Sequence, residues 1–428
     1  MRKKVWASLA AMVAAALAFS ACTASGSTTS TSASAGGNVT LEFAQWWEPE
    51  LPAGSLRTLM DQFEAANPGI KVKLISGPYA STKEQVVAGA AAGTMSDVVG
   101  LDGAWVSDFV KQGSLTNLST AMTDAKFDAS QLAAQVKIKG STYMIPVANF
   151  VYPMFVNNDV LTKAGISALP TNRTEFAAAA KAIAKSGTTS GWILPLDTAT
   201  PNGIQNDFMS WVWASGGSML KDGQPNLVGN QGVKDVMAFV KDLYDSGAIA
   251  KGTFTLKEQD KVNQFTNGQV GMMVDSLAHV NLIRQQNANL KFTVAAIPTA
   301  DGYTGKGALP YASWGIGIAN NSKHQAEAFK LVSFLMGKDV NAKICSLAHA
   351  FPGNTGAVPD FVNNDPAFKQ AFDLFQKSNL TNEFTGLPVA EDLMRSFDNE
   401  LQKYLAGKES ADEALTAAQA AWTKSFAA

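Results

Sequence analysis

The chain has 428 residues, of which 46% are hydrophobic and 16% charged, and its formal net charge at pH 7 is −2. At roughly 150 residues per domain, this length predicts two or three domains. The apolar share excludes a disordered chain, because disorder needs few apolar residues and a high net charge. The near-zero net charge and the presence of only five arginines exclude a basic field that would attract nucleic acid.

The N-terminus has the pattern of an export signal over residues 1–21. Cations at positions 2–4 precede an apolar stretch over residues 5–19, which is shorter than the roughly 20 apolar residues of a spanning helix. The next residues, Ser20-Ala21-Cys22, resemble the box of bacterial lipoproteins, in which the cysteine is lipidated and becomes the new N-terminus. Lipidation of Cys22 is therefore predicted; ordinary secretion with cleavage nearby is the alternative.

A Ser/Thr/Gly-rich segment follows over residues 22–37 and predicts a flexible tether. With a lipid on Cys22, the chain is expected to be extracytoplasmic and anchored to the cell membrane. The second cysteine, Cys345, would then have no disulfide partner.

From residue 38 onwards, patterns typical of strands and helices alternate. Residues 39–44 alternate as a strand, an apolar stripe at helical spacing follows over residues 56–63, and residues 70–74 alternate again. Residues 97–101 read as a buried strand. This order predicts an α/β sheet. Asn172, with an acid three residues later, predicts the start of another helix.

Six segments in chain order resemble the signatures of one family, the extracellular solute-binding proteins of bacterial ABC importers, in their carbohydrate-binding branch. The segments are residues 63–72, 97–118, 143–176, 211–217, 265–272 and 326–353. Arg173 and Thr174 depart from the family pattern, which commonly has a tryptophan and an acid there.

The resemblance implies a two-lobed, periplasmic-binding-protein-like α/β fold, in which each lobe is a mixed sheet flanked by helices and a hinge joins the lobes. Ligand would bind in the cleft between them, and the lobes would close over it. By the family pattern the chain crosses between lobes near Val147, His279 and Gly337. These crossings assign residues 38–147 plus 279–337 to an N-terminal lobe and residues 148–278 plus 338–428 to a C-terminal lobe.

Aromatic and polar side chains near presumed strand ends are the candidate site. A sugar offers apolar C–H faces and a rim of hydroxyls, so it suits flat aromatic rings combined with carboxylates and amides. The candidates are Trp46, Trp47, Glu48, Asp102, Asn149, Tyr152, Trp211, Trp213, Asp275 and Trp314. Among them Trp47, Trp213 and Trp314 are the preferred stacking residues. Each tryptophan could equally pack in a core, and Tyr79 is interpreted as loop packing.

No local run of arginines or acids is present that would clamp a charged ligand, so a neutral carbohydrate is predicted. Permease subunits of an ABC importer are the expected protein partners, and the binding protein itself is expected to be a monomer. A sensing subunit that reports sugar to a membrane partner is the alternative.

Signals of an enzyme are weak. His279, His324 and His349 share no metal-ligand spacing, and no G-x-S-x-G motif is present. Residues 302–307 only imitate a P-loop, because no Ser or Thr follows the lysine. A glycoside hydrolase would need two carboxylates about 5–10 Å apart, which the sequence cannot pair. We therefore expect no catalytic residue, metal or cofactor.

Overall fold

The computed structural model describes residues 38–360 and 364–426. The predicted export signal, the lipidation site Cys22 and the tether lie outside the described residues. In the described part of the chain, no helix is both long and apolar enough to cross a membrane.

Strands and helices alternate through most of the described chain. The strands are β1 (Val39–Gln45), β2 (Ile70–Ser76), β3 (Val98–Leu101), β4 (Val136–Ile138), β5 (Ser141–Val151), β6 (Met154–Asn157), β7 (Ser190–Trp192), β8 (Leu220–Lys221), β9 (Gln224–Pro225), β10 (Val270–Val274), β11 (Phe292–Ala295), β12 (Ala308–Ile318), β13 (Phe351–Pro352) and β14 (Asn379–Thr381).

The first eight α-helices are α1 (Trp47–Glu50), α2 (Ser55–Ala66), α3 (Tyr79–Ala92), α4 (Val106–Lys111), α5 (Leu118–Asp124), α6 (Asn158–Lys163), α7 (Arg173–Ala184) and α8 (Met209–Trp213). The others described are α9 (Gln231–Asp245), α10 (Glu258–Thr266), α11 (His279–Gln286), α12 (Gln325–Leu335), α13 (Lys338–Ala348), α14 (Pro366–Lys377), α15 (Ala390–Leu405) and α16 (Ala411–Phe426). A π-helical turn, Ile204–Phe208, leads into α8.

The larger sheet has eight strands and contains the N-terminal elements. Its main order is β13-β5-β12-β3-β1-β2, with β14 paired to β12 and β4 paired to β5. Strand β1 runs parallel to β2 and β3, whereas β12 runs antiparallel to β3 and β5. The α/β order predicted from the sequence is confirmed. The first three strands pair in parallel, which places the carboxyl ends of β1, β2 and β3 at one edge of the sheet.

The smaller sheet has four strands in the order β11-β6-β10-β7. Strand β10 is parallel to β7 and antiparallel to β6. Consecutive strands change sheet over residues 152–153, between β5 and β6, and over residues 296–307, between β11 and β12. His279 is the first residue of α11, which leads to β11, and β11 pairs within the smaller sheet. The lobe boundaries themselves stay a prediction.

Apolar periodicity accounts for how the helices pack. Leu56, Leu59, Met60 and Phe63 of α2 are all buried, as their helical spacing predicts. The Asn172 side chain accepts a hydrogen bond from the backbone N–H of Glu175 at 2.9 Å, so the predicted helix start at α7 is confirmed.

Candidate functional site

Three contiguous cavities are lined by residues that follow strands of both sheets. The first has a volume of about 250 Å³ and the third about 220 Å³. A narrow second cavity of about 30 Å³ joins them, because it shares Glu50 and Glu258 with the first and Asp102 and Ser313 with the third. We call the three together the cleft.

Strand ends of the larger sheet supply one wall of the cleft. Trp46 follows β1, Asp102 follows β3, and Glu50 ends the short helix after β1. Because β1 and β3 are parallel neighbours, their carboxyl ends bring these residues together. The opposite wall comes from Asn202, Asn206 and Glu258, which lie in the segment after β7 and at the first residue of α10.

Aromatic rings cover much of the first wall. Trp46 packs edge-on against Tyr79, with ring centroids 5.2 Å apart, and lies 5.6 Å from Trp105. Trp314 stacks on Trp47, with centroids 5.4 Å apart and planes within 8°. Trp46, Tyr79 and Trp314 line the cleft. These rings offer a flat apolar surface beside polar groups.

Asp102 is a half-buried acceptor between two donors. Its carboxylate accepts a hydrogen bond from the Tyr79 hydroxyl at 3.1 Å and one from the Ala104 N–H at 2.8 Å. Burial raises the pKa of Asp102 to about 6, against the lowering effect of these hydrogen bonds. Burial also raises the pKa of Tyr79 and Tyr152 well above the ordinary tyrosine value, so both stay neutral hydroxyls.

Glu50 is a second buried carboxyl group of the cleft. Burial raises its pKa to about 8, with the charge of His279 lowering it and the nearby carboxylates of Glu258 and Asp275 raising it. The Trp314 side chain also hydrogen-bonds Glu50. Glu50 is therefore largely protonated below pH 8 and can both donate to and accept from a ligand hydroxyl.

A buried ion network lies behind the cleft. Lys261 is fully buried and lies 3.1 Å from an oxygen of Asp207 and 3.2 Å from an oxygen of Asp275. The other oxygen of Asp275 lies 2.9 Å from His279 Nδ1. Burial alone lowers the pKa of His279, but the negative charge of Asp275 raises it to about 10. Burial alone raises the pKa of Asp275, and the charges of His279 and Lys261 lower it.

The third cavity is closed by a segment close to the C-terminus. Asn382, Thr385 and Gly386 line it, and the Gly386 N–H donates to the carbonyl of Gly103 at 3.0 Å. A Cβ on Gly103 would lie 2.8 Å from the Thr385 side chain, so only glycine fits at this contact.

Half of the residues predicted from the sequence line the cleft. These are Trp46, Asp102, Asn149, Tyr152 and Trp314. Trp314 lies within β12 rather than at a strand end, at an irregularity of the pairing with β5.

The structure does not bring the other five to the lining of the cleft. Trp47 lies behind Trp314 and Asp275 lies in the ion network. Glu48 accepts a hydrogen bond from Ser76, and Trp213 donates to Glu383 at 2.7 Å. Trp211 packs among Phe176, Trp192 and Phe239. Trp211 and Trp213 were expected near strand ends but lie on α8. In the structure the side chains of Trp211 and Trp213 are both buried. Contact of either side chain with a ligand stays a prediction.

Several lining residues were missed by the sequence interpretation. They are Glu50, Tyr79, Asn202, Asn206, Glu258 and His279. Tyr79 was interpreted as loop packing but faces the cleft. The asparagines lie where no apolar period marks an element, so no local signal was available. A signal did exist for Glu258, because an acid in the first turn of a helix is typical of an N-terminus.

Comparisons with known proteins agree on one family. A family model described as bacterial extracellular solute-binding protein matches residues 48–342. A Brucella abortus (strain 2308) protein, provisionally assigned as a binding protein, is 31% identical over 372 residues, which cover 84% of this chain and 86% of the relative. The galactooligosaccharide-binding protein of Bacillus subtilis (strain 168) is 22% identical over 415 residues, 93% of this chain and 92% of the relative.

A solved structure shows the same architecture. The GacH receptor of Streptomyces glaucescens GLA.O, solved unliganded and in complex with acarbose, is similar with a TM-score of 0.74 and 22% sequence identity, over 90% of this chain and 98% of that chain. The predicted two-lobed α/β fold is thus confirmed. Since the family model also matches more than half of the chain, the chain belongs to the bacterial extracellular solute-binding proteins.

Proposed function

We propose that the protein binds a neutral sugar or oligosaccharide in the cleft and delivers it to the permease subunits of an ABC importer. The observation that carries the proposal is the composition of the lining, where Trp46, Tyr79 and Trp314 alternate with the polar groups of Asp102 and Asn202. The names of two similar proteins fit this chemistry, since one binds galactooligosaccharides and the other was solved with acarbose.

Each class of lining residue has a distinct role in this proposal. The rings of Trp46 and Trp314 would stack on the apolar faces of the sugar, and each stacked ring contributes about 1 kcal/mol beyond its buried area. Asp102 accepts hydrogen bonds, whereas Asn202 and Asn206 each offer both a donor and an acceptor. Such paired roles suit sugar hydroxyls, which donate and accept at the same time.

The charged side chains that line the cleft support a neutral ligand over an anionic one. His279 is paired with Asp275, and the other cations are Lys257 at the first cavity and Lys137 at the third. An anionic sugar would be favoured by an arginine fork, and no arginine lines the cleft in the described residues. Asp102 and Glu258 add further repulsion to an anion.

Location and partners complete the proposal. We infer an extracytoplasmic, monomeric protein held to the cell membrane by a lipid on Cys22, with residues 22–37 as the tether. The protein performs no catalysis in this proposal and uses no cofactor. A sensing role with the same ligand would use the same cleft. Genes for permease subunits next to the gene of this protein would favour import over sensing.

A thermal-shift screen over a panel of neutral mono- and oligosaccharides tests the proposal. A sugar at 100 times its Kd should stabilise the protein by about 2.7 kcal/mol and raise its melting temperature. Trp46→Ala, if it weakens binding about tenfold, should reduce that stabilisation to about 1.4 kcal/mol at the same sugar concentration, whereas Trp211→Phe, which alters the core beside α8, should keep it. A panel in which no carbohydrate raises the melting temperature would contradict the proposal.

Recovery of the sugar separates binding from hydrolysis. Carbohydrate incubated with the purified protein should be retained and recovered unchanged. Cleaved product would instead identify a glycoside hydrolase.

A further inference from the structure

The imidazole of His279 is oriented by a carboxylate on one of its ring nitrogens, an arrangement typical of histidines that bind metal ions. Its Nδ1 lies 2.9 Å from a carboxylate oxygen of Asp275, and the other oxygen of Asp275 lies 3.2 Å from Lys261. A carboxylate on one ring nitrogen orients the ring and leaves the second nitrogen free to bind a metal ion. Nε2 has no hydrogen-bond partner among residues 38–360 and 364–426, and the His279 side chain is only 9% exposed.

Carboxyl groups from two other elements lie near the His279 ring. Glu50, at the end of α1, has an oxygen 3.8 Å from Nε2. Glu258, at the first residue of α10, offers an oxygen within 4.8 Å of ligand atoms of both His279 and Asp275. Glu50, Glu258 and His279 all line the first cavity. A zinc ion bound at about 2.0–2.1 Å places its ligand atoms about 3.3 Å apart. The Glu50 oxygen, 3.8 Å from Nε2, therefore needs only a small side-chain rotation to share an ion with it.

The balance of charges around the cluster favours a bound cation. The ammonium group of Lys261 lies between the carboxylates of Asp207 and Asp275. It also donates a hydrogen bond to the carbonyl of Val274 at 2.7 Å, so its contacts all lie behind the cleft. Glu258 has no hydrogen bond or ion pair through its side chain within the described chain. The carboxyl groups of Glu50 and Glu258, once ionised by the ion they bind, would together balance the charge of a divalent ion.

We propose that His279 Nε2, Glu50 and Glu258 bind a divalent transition-metal ion such as Zn²⁺, with Asp275 as the positioning residue for His279. One imidazole with two carboxylates, and a further position open to the cavity, suits zinc rather than Mg²⁺ or Ca²⁺, which prefer oxygen ligands alone. The open position faces the cleft, where a ligand hydroxyl could occupy it. The site goes beyond sugar capture and is tested without any sugar.

Calorimetric titration of Zn²⁺ into the sugar-free protein tests the site. Wild type should show saturable one-to-one binding, with Mg²⁺ at least about tenfold weaker. His279→Ala and Glu258→Gln should each weaken Zn²⁺ binding at least about tenfold, and Asp275→Asn by about 10–100-fold. His324→Ala, a histidine outside the cluster, is the matched control and should bind like wild type. Absence of saturable Zn²⁺ binding in wild type, or wild-type affinity in His279→Ala, would overturn the proposal.

A second test does not depend on whether His279→Ala and Asp275→Asn fold. Glu258 is half-buried at a helix start, so Glu258→Gln keeps the fold and still removes a ligand. Anomalous scattering from zinc in crystals of the wild-type protein should locate the ion about 2.0–2.1 Å from His279 Nε2. An ion found only at His324, at His349 or on the outer surface would refute the site.

Discussion

Adjacent tryptophans in this chain have different roles because their side chains leave the backbone in different directions. Trp46 ends the strand segment and faces the cleft, whereas Trp47 begins α1 and packs against Phe43 and behind Trp314. Trp314 is the inner face of the cleft wall and Trp47 its support. A ligand would therefore contact Trp314 directly, and Trp47 would affect binding only by supporting the position of Trp314.

Alanine substitution should separate these two tryptophans. Trp314→Ala should weaken sugar binding by about tenfold, which corresponds to 1.4 kcal/mol for a lost stacked ring. Trp47→Ala should mainly lower the free energy of unfolding, by about 3–5 kcal/mol, because it leaves a core cavity. Urea denaturation and sugar affinity measured on both variants check this. Equal affinity of wild type and Trp314→Ala would place the stacking ring elsewhere.

Asp398 is a buried carboxyl group whose ionisation should destabilise the fold. It is fully buried in α15, and burial raises its pKa from 3.8 to about 8, with a hydrogen bond from Gln402 lowering it. Because the folded pKa is above the unfolded one, its contribution to stability is present below pH 4 and is lost as pH rises towards 8.

Asp398→Asn should remove this pH dependence. Relative to wild type, the variant should gain more than about 1.4 kcal/mol in the free energy of unfolding between pH 5 and pH 9, the equivalent of one pKa unit. Urea denaturation at the two pH values measures the difference. A difference between the two proteins that is constant with pH would show that Asp398 ionises normally in the fold.

At the scale of elements, an ion pair joins helices that belong to the two halves of the fold. Lys83 on α3 lies 2.6 Å from Glu391 on α15, and their side chains are only 10% and 15% exposed. Helix α3 packs on β1 of the larger sheet, whereas α15 packs on α9 and on the π-helical turn. Removing one partner leaves the other charge buried, which costs about 3–5 kcal/mol.

A double-mutant cycle tests the coupling of these helices. Glu391→Leu should lower the free energy of unfolding by about 3–5 kcal/mol, and adding Lys83→Met should restore most of the loss. The exposed pair Lys234–Asp412, at 2.8 Å, is the control, since Asp412→Ala should change stability by about 1 kcal/mol or less. A double variant no more stable than Glu391→Leu would show that the pair is not coupled.

For the whole molecule, the position of the cleft predicts a change of shape on binding. Residues that follow strands of both sheets line it. The chain passes between the two halves over residues 152–153, over residues 296–307 and again between β14 and α15, which packs on α9. A hinge of so few segments permits one half to rotate against the other. Small-angle scattering should therefore give a smaller radius of gyration with saturating sugar, and an unchanged radius would argue against closure.

Anchoring is also a property of the whole molecule. Because Cys22 is the predicted site of lipid attachment, Cys22→Ser should move the protein from the membrane fraction to the soluble fraction or the medium. Immunoblotting of cell fractions measures this. Continued retention of Cys22→Ser in the membrane would point to an uncleaved export signal as the anchor.

The sequence by itself determined the class of the protein, because its signals are local. The apolar alternation of residues 39–44 and 70–74, the helical stripe of α2 and the Asn172 cap each depend on neighbouring residues, and all were found in the structure. The family signatures are likewise contiguous segments, so their order was sufficient to predict a two-lobed fold.

Only the tertiary structure decided which side chains share the cleft. Trp46 and Trp47 are adjacent, so their neighbouring residues in the sequence are nearly the same. The direction of each ring depends on where β1 ends and α1 begins. Glu50, Glu258 and His279 come from three separate helices, so no spacing in the sequence links them. Their meeting is a consequence of how the two sheets are placed, and local periodicity carries no information about contacts between residues more than 200 positions apart.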